Sequence, residues 1–141
     1  MNDSCIFCKI IRGELPASVV AETDTVLAIM DIHPINAGHV LVMPKTCFQH
    51  LRQMPEEVAS EVFAMVKKVE QALWNTPEIA CEGTNIIQNN AKAAGQDVFH
   101  VHFHVVPRTT GDGFRFVLPS RKYSRDELGV HAAAIRRNVE Q

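Results

Sequence analysis

From residue 100 to residue 106 the chain reads HVHFHVV, which places three of its seven histidines within five positions. Side chains alternate between the two faces of a β-strand. In an extended segment, His100, His102 and His104 therefore share one face, and the apolar residues between them point to the other. An apolar opposite face is typical of a strand that covers a core. We therefore predict a strand over 100–106 that carries a row of imidazoles on a sheet.

Two kinds of chemistry use such a row of imidazoles. Neutral histidines at His-x-His spacing are good zinc ligands. One imidazole can instead act as a nucleophile while its neighbours orient it and handle protons. The preceding loop, QNNAKAAGQ at 88–96, is small and polar, and such a loop can bring backbone N–H groups close to an anion. A catalytic zinc usually has an acidic residue near its ligands, and only Asp97 qualifies, so the residues leave both chemistries open.

The rest of the chain predicts an α+β fold with an antiparallel sheet. Apolar residues at spacings of three and four predict a long helix over 55–74, which opens with Pro55 and two glutamates. A capping box at Ser124 and Glu127 predicts a final helix toward Asn138. A short helix is expected over 5–11. Strands joined by tight turns favour the antiparallel arrangement, and the β-prone segments are residues 19–22, 26–31, 39–44 and 84–88.

Length and composition indicate one globular domain over residues 1–141. The chain is 46% hydrophobic with a net charge of −2, which excludes a disordered or collagen-like protein. Nucleic-acid binding is not expected, because proteins that neutralise phosphates are usually more basic. The sequence shows neither an apolar run of about 20 residues nor a signal peptide, so no membrane association is expected. With cysteines near its beginning, the sequence suits a cytoplasmic protein.

The four cysteines, at positions 5, 8, 47 and 81, are too few for a disulfide scaffold. Cys5 and Cys8 form a Cys-x-x-Cys pair, which is compatible with half of a zinc site, with a redox dithiol, or with neither. A redox pair is expected after a strand in a thioredoxin-like pattern, and here the pair opens the chain. A zinc site would need two further ligands.

Three long blocks resemble the histidine-triad (HIT) family in content and order. They are CIFCKIIRGELPA at 5–17, VLAIMDIHPINAGHVLVMPK at 26–45 and NNAKAAGQDVFHVHFHVVPR at 89–108. The last block contains the family pattern His-φ-His-φ-His-φ-φ, and GDGF at 111–114 is similar to bacterial members. The likeness covers about residues 5–108, with 109–141 as a C-terminal extension. It implies a HIT-like antiparallel sheet of about five strands with one long helix and a C-terminal helix.

The resemblance implies an enzyme that hydrolyses a purine nucleotide at its α-phosphate. His102 would be the nucleophile that forms a covalent nucleotidyl-histidine, which water then converts to a nucleoside monophosphate. His104 would contact the phosphate and assist the leaving group, and His100 would orient the site. The family includes nucleoside phosphoramidases, which cleave P–N bonds, and dinucleoside polyphosphate hydrolases, which cleave P–O–P bonds. The alternative is a nucleotide-binding regulatory protein with little turnover.

The resemblance also implies a substrate pocket. Asp31 matches the carboxylate that accepts hydrogen bonds from the ribose hydroxyls. Asn89 and Gln96 match polar contacts to the phosphates. For Ile10, Ile29 and Ile32 a place in the plain core fits the sequence equally well. The apolar positions that match the base enclosure are Ile6, Phe7, Ile10, Ile29 and Ile32.

This sequence departs from the family pattern at two positions. Asp97 stands where many members have Ser or Thr, and a carboxylate there repels a phosphate. Zinc-bearing relatives have a histidine where this chain has Cys47, and thiolate is an excellent zinc ligand. The resemblance thus implies a structural zinc, with His50 as an alternative to Cys47 and Cys81 outside the site. Its ligands would be Cys5, Cys8, Cys47 and His100.

The resemblance further implies a homodimer. Relatives pair through the long helix and a neighbouring strand, which makes one continuous sheet. The helix predicted over 55–74 has apolar residues beyond its main stripe that could serve this contact or be buried within one chain. These residues are Ala59, Phe63 and Ala72.

Overall fold

The computed structural model describes residues 3–117 and 119–139. It confirms the α+β class, with a five-stranded antiparallel sheet, a long helix and a C-terminal helix. The strands are β1 (Val19–Glu22), β2 (Val26–Met30), β3 (Val40–Pro44), β4 (Gly83–Gln88) and β5 (Phe103–Arg108). The helices are α1 (Ile6–Ile11), α2 (Glu56–Trp74) and α3 (Arg125–Val139), with short 3-10 helices at Leu51–Gln53 and Lys92–Ala94.

The strand order in the sheet is β1-β2-β3-β5-β4, and every neighbouring pair is antiparallel. β1 and β2 form a hairpin. Its turn is closed by two hydrogen bonds, from Thr23 N–H to the Val26 carbonyl (2.9 Å) and from Val26 N–H to the Thr23 hydroxyl (3.0 Å). The order leaves β1 at one edge of the sheet and β4 at the other, with β3 in the centre.

Both faces of the sheet are covered, which explains why every residue of β3 is buried. On one face, α2 packs its buried stripe against Val40, Val42 and Val105. On the other face, α1 packs Phe7 and Cys8 against alternate residues of the strands. The α2 stripe consists of Val62, Met65, Val66, Val69 and Leu73, and the strand residues on the α1 face are Leu27, Ile29, Leu41 and Met43.

The last strand begins later than predicted. Instead of spanning 100–106, β5 starts at Phe103 and continues to Arg108. The N–H of Val101 donates to the carbonyl of Phe48 at 2.7 Å, in the loop after β3, rather than to a neighbouring strand. The predicted division between faces nevertheless holds, because Val101 and Val105 are buried in the core under α2.

The loop between β2 and β3 is held close to the end of α2. Gly38 has φ +93, and a Cβ at this position would lie 2.8 Å from Ile79 Cγ2. Only glycine therefore fits here. The next residue, His39, directly precedes β3.

The C-terminal helix α3 opens with the predicted capping box. Ser124 N–H donates to Glu127 Oε2 at 2.8 Å, and Glu127 N–H donates to Ser124 Oγ at 3.2 Å. Apolar side chains of α3, such as Val130 and Ile135, face solvent. Among the helices of the described ranges, none combines the length and the apolar character that a membrane crossing requires.

Candidate active site

His102 is buried and its ring is oriented by a backbone carbonyl. Its Nδ1–H donates to the carbonyl oxygen of His100 at 2.7 Å, and the Phe7 ring contacts it edge-on with centroids 5.1 Å apart. A neutral imidazole carries one N–H, so Nε2 is left with its lone pair. Burial lowers the pKa of His102, which keeps the ring neutral at pH 7. The site therefore presents a neutral, fixed nitrogen nucleophile.

His104 is paired with a second buried histidine, His39. Ile35 N–H donates to His39 Nδ1 at 3.1 Å, so the proton of neutral His39 is on Nε2. That Nε2 lies 2.9 Å from His104 Nδ1 and donates to it. The remaining proton of His104 is then on Nε2. Burial, followed by the neighbouring His102 and His39, lowers the pKa of His104 to about 4, so this ring is a neutral hydrogen-bond donor at pH 7.

His39 is a site residue that the sequence analysis did not identify, although it lies in the same block as Asp31. In the sequence, this histidine stands directly between a glycine-containing loop and a wholly apolar strand. In the structure, its side chain is only 2% exposed. A polar residue at the start of a buried strand needs a hydrogen-bond partner. His39 finds its partners in Ile35 and His104.

Asp31 follows β2 directly and brings a carboxylate to the histidine pair. Its Oδ1 accepts from His33 N–H at 2.8 Å, and its Oδ2 lies 3.4 Å from His39 Nε2 and 3.9 Å from His104 Nδ1. The three side chains are close enough to share a metal ion. A metal bound here would have to replace the His39–His104 hydrogen bond. We therefore interpret Asp31, His39 and His104 as a hydrogen-bonded group rather than a metal site.

Gln96 is buried, and its amide is fully engaged within the surrounding loops. Oε1 accepts from Ala91 N–H at 2.7 Å and from His50 Nδ1–H at 3.2 Å. Nε2 donates to the carbonyls of Gln49 (2.8 Å) and Val98 (3.0 Å). Both amide protons are used, so a phosphate contact by this side chain would break one of these bonds. The arrangement suits a residue that shapes the loop.

Asn89 lies at the end of β4, beside the histidine segment. It follows Gln88, which pairs with Phe103 at the start of β5. The loop then passes through Ala91, whose φ of 67° and ψ of 163° are almost confined to glycine. The edge of the site therefore contains strained backbone.

The five apolar residues predicted to enclose the base separate into two groups. Ile6 and Ile32 are 44% and 80% exposed and are available to a ligand. The other three contribute to the core under α1, where two are buried and one is partly buried. These three are Phe7, Ile29 and Ile10.

Three cysteines and His100 converge next to α1, with ligand atoms all within 4.8 Å of one another. Cys5 Sγ lies 3.6 Å from His100 Nδ1, and Cys8 Sγ lies 3.7 Å from the same atom. A tetrahedral zinc site with ordinary bond lengths has a sulfur–nitrogen separation of about 3.6 Å. His100 Nε2–H donates to the Pro44 carbonyl at 2.7 Å, which leaves Nδ1 as the ligand nitrogen. The donor set fits zinc, with Cys47 as its third thiol.

The electrostatics of this cluster also favour a cation. Burial, together with the nearby Cys8 and Cys5 thiols, raises the pKa of the Cys47 thiol to about 12. A divalent cation among the sulfurs would reverse this effect and stabilise thiolates. The alternative ligand His50 lies outside the group and bonds to Gln96 instead. Cys81 is also separate, and its thiol donates to the Gly83 carbonyl at 3.4 Å.

A cavity of about 440 Å³ adjoins the histidine segment. Cys5, the neighbour of His100, forms part of its wall. Asp97 is also one of the residues that line it. The other residues that shape the cavity include Ile6, Gln49 and Phe99.

Comparison with known proteins identifies relatives over most of the chain. The HIT domain family model matches residues 12–111. An uncharacterized HIT-like protein of Methanocaldococcus jannaschii is 48% identical over 109 residues, covering 77% of this chain and 82% of that protein. Adenosine 5'-monophosphoramidase of Candida albicans is 41% identical over 133 residues (89% and 85%). An adenylylsulfatase of Arabidopsis thaliana is 36% identical over 112 residues (79% and 56%).

Solved structures share the fold. A HIT family protein from Bacillus anthracis superposes with a TM-score of 0.90 at 38% identity, covering 98% of this chain and 99% of that chain. A zinc-bound histidine triad family protein from Mycobacterium smegmatis superposes with a TM-score of 0.75 at 38% identity, covering 98% of both chains. The resemblance seen in the sequence blocks is thus confirmed by both sequence and fold.

Proposed function

This chain belongs to the HIT domain family, and from that premise we propose that it hydrolyses purine nucleotides at the α-phosphate, breaking a P–N or P–O–P bond. Relatives named adenosine 5'-monophosphoramidase and adenylylsulfatase support a hydrolase of adenosine nucleotides. The observation that carries the proposal is the neutral His102, held by the His100 carbonyl so that Nε2 is free to attack.

In the first step, the lone pair of His102 Nε2 forms a bond to the α-phosphorus as the bond to the leaving group breaks. The imidazole becomes a phosphorylated imidazolium whose Nδ1–H remains on the His100 carbonyl, so His102 loses no proton. His104 donates a hydrogen bond from Nε2–H to the leaving group or a phosphate oxygen, while His39 holds its ring in that tautomer. An amine leaving group needs one proton beyond the N–H that it already carries, and it takes this proton from solvent as the P–N bond breaks, so that it departs as a neutral amine.

In the second step, water attacks the phosphorus of the nucleotidyl-histidine and releases one proton to solvent, which balances the proton taken up by an amine leaving group. The P–Nε2 bond breaks, the nucleoside monophosphate leaves, and His102 returns to its neutral form. Splitting the displacement in this way replaces one difficult step by two easier ones. The positive charge of the phosphorylated imidazolium makes it a good leaving group.

The nucleotide would be held by residues on both sides of the histidines. Asp31 would accept hydrogen bonds from the ribose hydroxyls, because its carboxylate is already placed beside His104. The base would lie against the exposed Ile6 and Ile32, over the core formed by Phe7, Ile10 and Ile29. Asn89 would contact the phosphates, and Gln96 would hold the loop that carries them.

The proposal includes a structural zinc bound by Cys5, Cys8, Cys47 and His100. When bound, zinc would supply a cross-link between these segments. Since four protein ligands fill a tetrahedral site, none is left for water or substrate. The four cysteines, all within the described residues, form no disulfide with one another, which suits the cytoplasmic location that we propose. We also propose a single domain that assembles as a homodimer.

The test measures hydrolysis of adenosine 5'-phosphoramidate and a diadenosine polyphosphate by the purified protein. His102→Ala is expected to lose turnover by at least roughly a thousand-fold, since catalysis by one histidine nucleophile is lost. It should remain folded with a lower melting temperature, because truncating a buried side chain leaves a cavity. His131→Ala, on the exposed surface of α3, is the matched control and should retain full activity.

Two outcomes would contradict the proposal in different ways. Full activity in His102→Ala would refute this nucleophile. A wild-type protein that binds AMP but cleaves neither substrate would instead be the nucleotide-binding regulatory protein.

A further inference from the structure

His102 lies immediately before the strand that continues its segment. The pairings of β5 with β3 and β4 begin at Phe103, so the sheet does not by itself fix the backbone at His102. The ring of His102 is oriented by the carbonyl of His100, which accepts from His102 Nδ1–H at 2.7 Å. A displacement of His100 therefore moves the group that keeps the proton of the nucleophile on Nδ1.

His100 is in turn held by its own fully buried side chain. Nε2–H donates to the carbonyl of Pro44, at the end of β3, at 2.7 Å. On the other side of the ring, Nδ1 lies 3.6 Å from Cys5 Sγ and 3.7 Å from Cys8 Sγ. The three cysteines near this ring and His100 itself are called the Cys–His cluster below, and its thiols are those of Cys5, Cys8 and Cys47.

The third thiol of the Cys–His cluster comes from the loop after β3. Cys47 directly precedes Phe48, whose carbonyl accepts from Val101 N–H at 2.7 Å. The neighbours Cys47 and Phe48 thus contact the neighbours His100 and Val101, one pair through the cluster and the other through a hydrogen bond. The cluster therefore lies where this loop meets the segment that carries the nucleophile.

The ring of Phe7 also borders His102, and it too belongs to a segment that the cluster holds. Its centroid lies 5.1 Å from that of His102 and 5.9 Å from that of His100, edge-on in both cases. In the sequence, Phe7 stands between Cys5 and Cys8, at the start of α1. Two groups that orient the nucleophile, the His100 carbonyl and the Phe7 ring, are therefore attached to residues of the Cys–His cluster.

We propose that the Cys–His cluster, with zinc bound, positions the nucleophile: its three thiols are positioning residues that hold His100 and Phe7 and thereby keep His102 in the tautomer with the proton on Nδ1. This inference rests on the proposed hydrolysis, in which the lone pair of His102 Nε2 attacks the α-phosphorus. In the other neutral tautomer Nε2 carries the proton and has no lone pair to donate. Thiols alone would hold the His100 ring loosely, because S–H is a weak hydrogen-bond donor.

The experiment measures the tautomer of His102 directly. Two-bond proton–nitrogen NMR spectra of protein labelled with nitrogen-15 histidine distinguish the two neutral tautomers, and His102→Gln assigns the signals. The samples are the wild type as purified, after removal of zinc by a chelator and after reloading, together with Cys47→Ser and Cys47→His. Cys47→His exchanges one kind of zinc ligand for another. Zinc content and kcat on adenosine 5'-phosphoramidate are measured on the same samples.

The matched control is Val66→Ala. Val66 is fully buried in the core under α2, on the face of the sheet opposite α1, so its truncation lowers stability without touching the Cys–His cluster. It should lower the melting temperature and leave zinc content and the His102 tautomer unchanged. The control separates positioning by the cluster from a general loss of stability.

The tautomer of His102 is expected to follow the zinc content. Zinc-loaded protein should show His102 with its proton on Nδ1 alone, and zinc-bound Cys47→His should do the same. Zinc-free wild type and Cys47→Ser should show both tautomers. Their kcat should be roughly ten- to hundred-fold lower, since a misplacement of about 1 Å can cost that much. Reloading should restore both properties in the wild type but not in Cys47→Ser.

Failure of this inference and failure of the proposed function give different results. A wild type without zinc, or a tautomer that zinc removal leaves unchanged, refutes the positioning role while any hydrolysis observed stands. A tautomer that Val66→Ala changes as much as Cys47→Ser refutes it too. If the wild type hydrolyses neither substrate, the proposed function fails. The NMR spectra need no turnover and still decide whether the cluster positions His102.

Discussion

Ala91 adopts a backbone conformation that alanine rarely tolerates, with φ 67° and ψ 163°. Such strain costs on the order of 1–3 kcal/mol. Glycine at this position would relieve the strain in the folded protein. Part of that stabilisation, about 0.5–1 kcal/mol, would be offset because glycine gives the unfolded chain more conformational freedom. We therefore expect Ala91→Gly to raise the free energy of unfolding by about 1 kcal/mol and the melting temperature by roughly 3–5 °C. Thermal denaturation measures both.

The control for this substitution lies in the same loop. Ala93 belongs to the 3-10 helix Lys92–Ala94 and, unlike Ala91, has a negative φ. Ala93→Gly should lower the melting temperature, because glycine there adds only unfolded-state freedom. If both glycine variants lower it equally, the strain at Ala91 does not store energy.

His104 predicts how stability depends on pH. Its pKa in the folded protein is lowered from 6.5 to about 4 by burial and by its histidine neighbours. Between these values the unfolded chain binds more protons than the folded one, so stability falls as pH decreases from about 6.5 to about 4. The shift corresponds to at most about 3 kcal/mol. The pKa of His39 is also lowered by burial and contributes in the same direction.

Urea denaturation at pH 7 and at pH 4.5 measures this dependence. His104→Gln, which retains a side chain able to form hydrogen bonds, should show a smaller loss of stability between the two pH values. Equal losses in the variant and the wild type would show that His104 titrates normally in the folded protein.

At the scale of elements, the proposed zinc would join α1 to the two segments that flank the site. Cys5 and Cys8 come from α1 and its N-cap, Cys47 from the connection after β3, and His100 from the approach to β5. We expect Cys47→Ser to lose zinc and to lower the melting temperature by roughly 5 °C or more, since metal binding contributes folding energy. Elemental analysis and thermal denaturation give the two readouts.

Cys81→Ser is the matched control for the zinc prediction, because its thiol bonds only to Gly83 within the described residues and a serine hydroxyl can replace that bond. It should keep zinc and stability. If the wild-type protein, purified without chelator, contains almost no zinc, the metal site is refuted. If Cys47→Ser retains zinc, Cys47 is not one of its ligands.

Most elements could be predicted from local patterns in the sequence. The spacing of Val62, Val66 and Val69 identified α2, and the Ser124 capping box identified the start of α3. The start of β5 could not be predicted, because it depends on which carbonyl accepts the Val101 N–H. That acceptor is Phe48, more than fifty residues away in the chain.

In the candidate site, too, contacts between residues far apart in the chain could not be predicted from local sequence patterns. The Cys-x-x-Cys spacing and the family resemblance predicted a common cluster for Cys5, Cys8 and His100, and the fold brings their ligand atoms together. The role of His39 was missed, because it depends on the fold bringing His39 beside His104. The side chain of Gln96 is already occupied by four loop partners, which a position in a sequence block does not reveal.

At the scale of the whole molecule, one side of the protein combines an open sheet edge with exposed apolar residues. β4 is the edge strand, and Ile86 on it is 45% exposed. The adjoining helix α2 exposes Phe63 and Trp74 at 60% and 50%. Glu70 of α2 accepts hydrogen bonds from Thr84 of β4 (3.0 Å) and from Trp74 (2.5 Å), so the strand and the helix form one surface.

We propose that a second copy covers this surface, because a two-fold axis can cover both an unpaired strand edge and an apolar patch. We expect light scattering to give about twice 15.7 kDa at micromolar concentration. Phe63→Glu should give a monomer with unchanged helical content, since this side chain is largely exposed in one chain. Val19→Glu, on the opposite sheet edge β1, should remain a dimer. A wild-type mass near 15.7 kDa would refute the dimer. If only Val19→Glu dissociated the dimer, the interface would lie at β1 instead of β4 and α2.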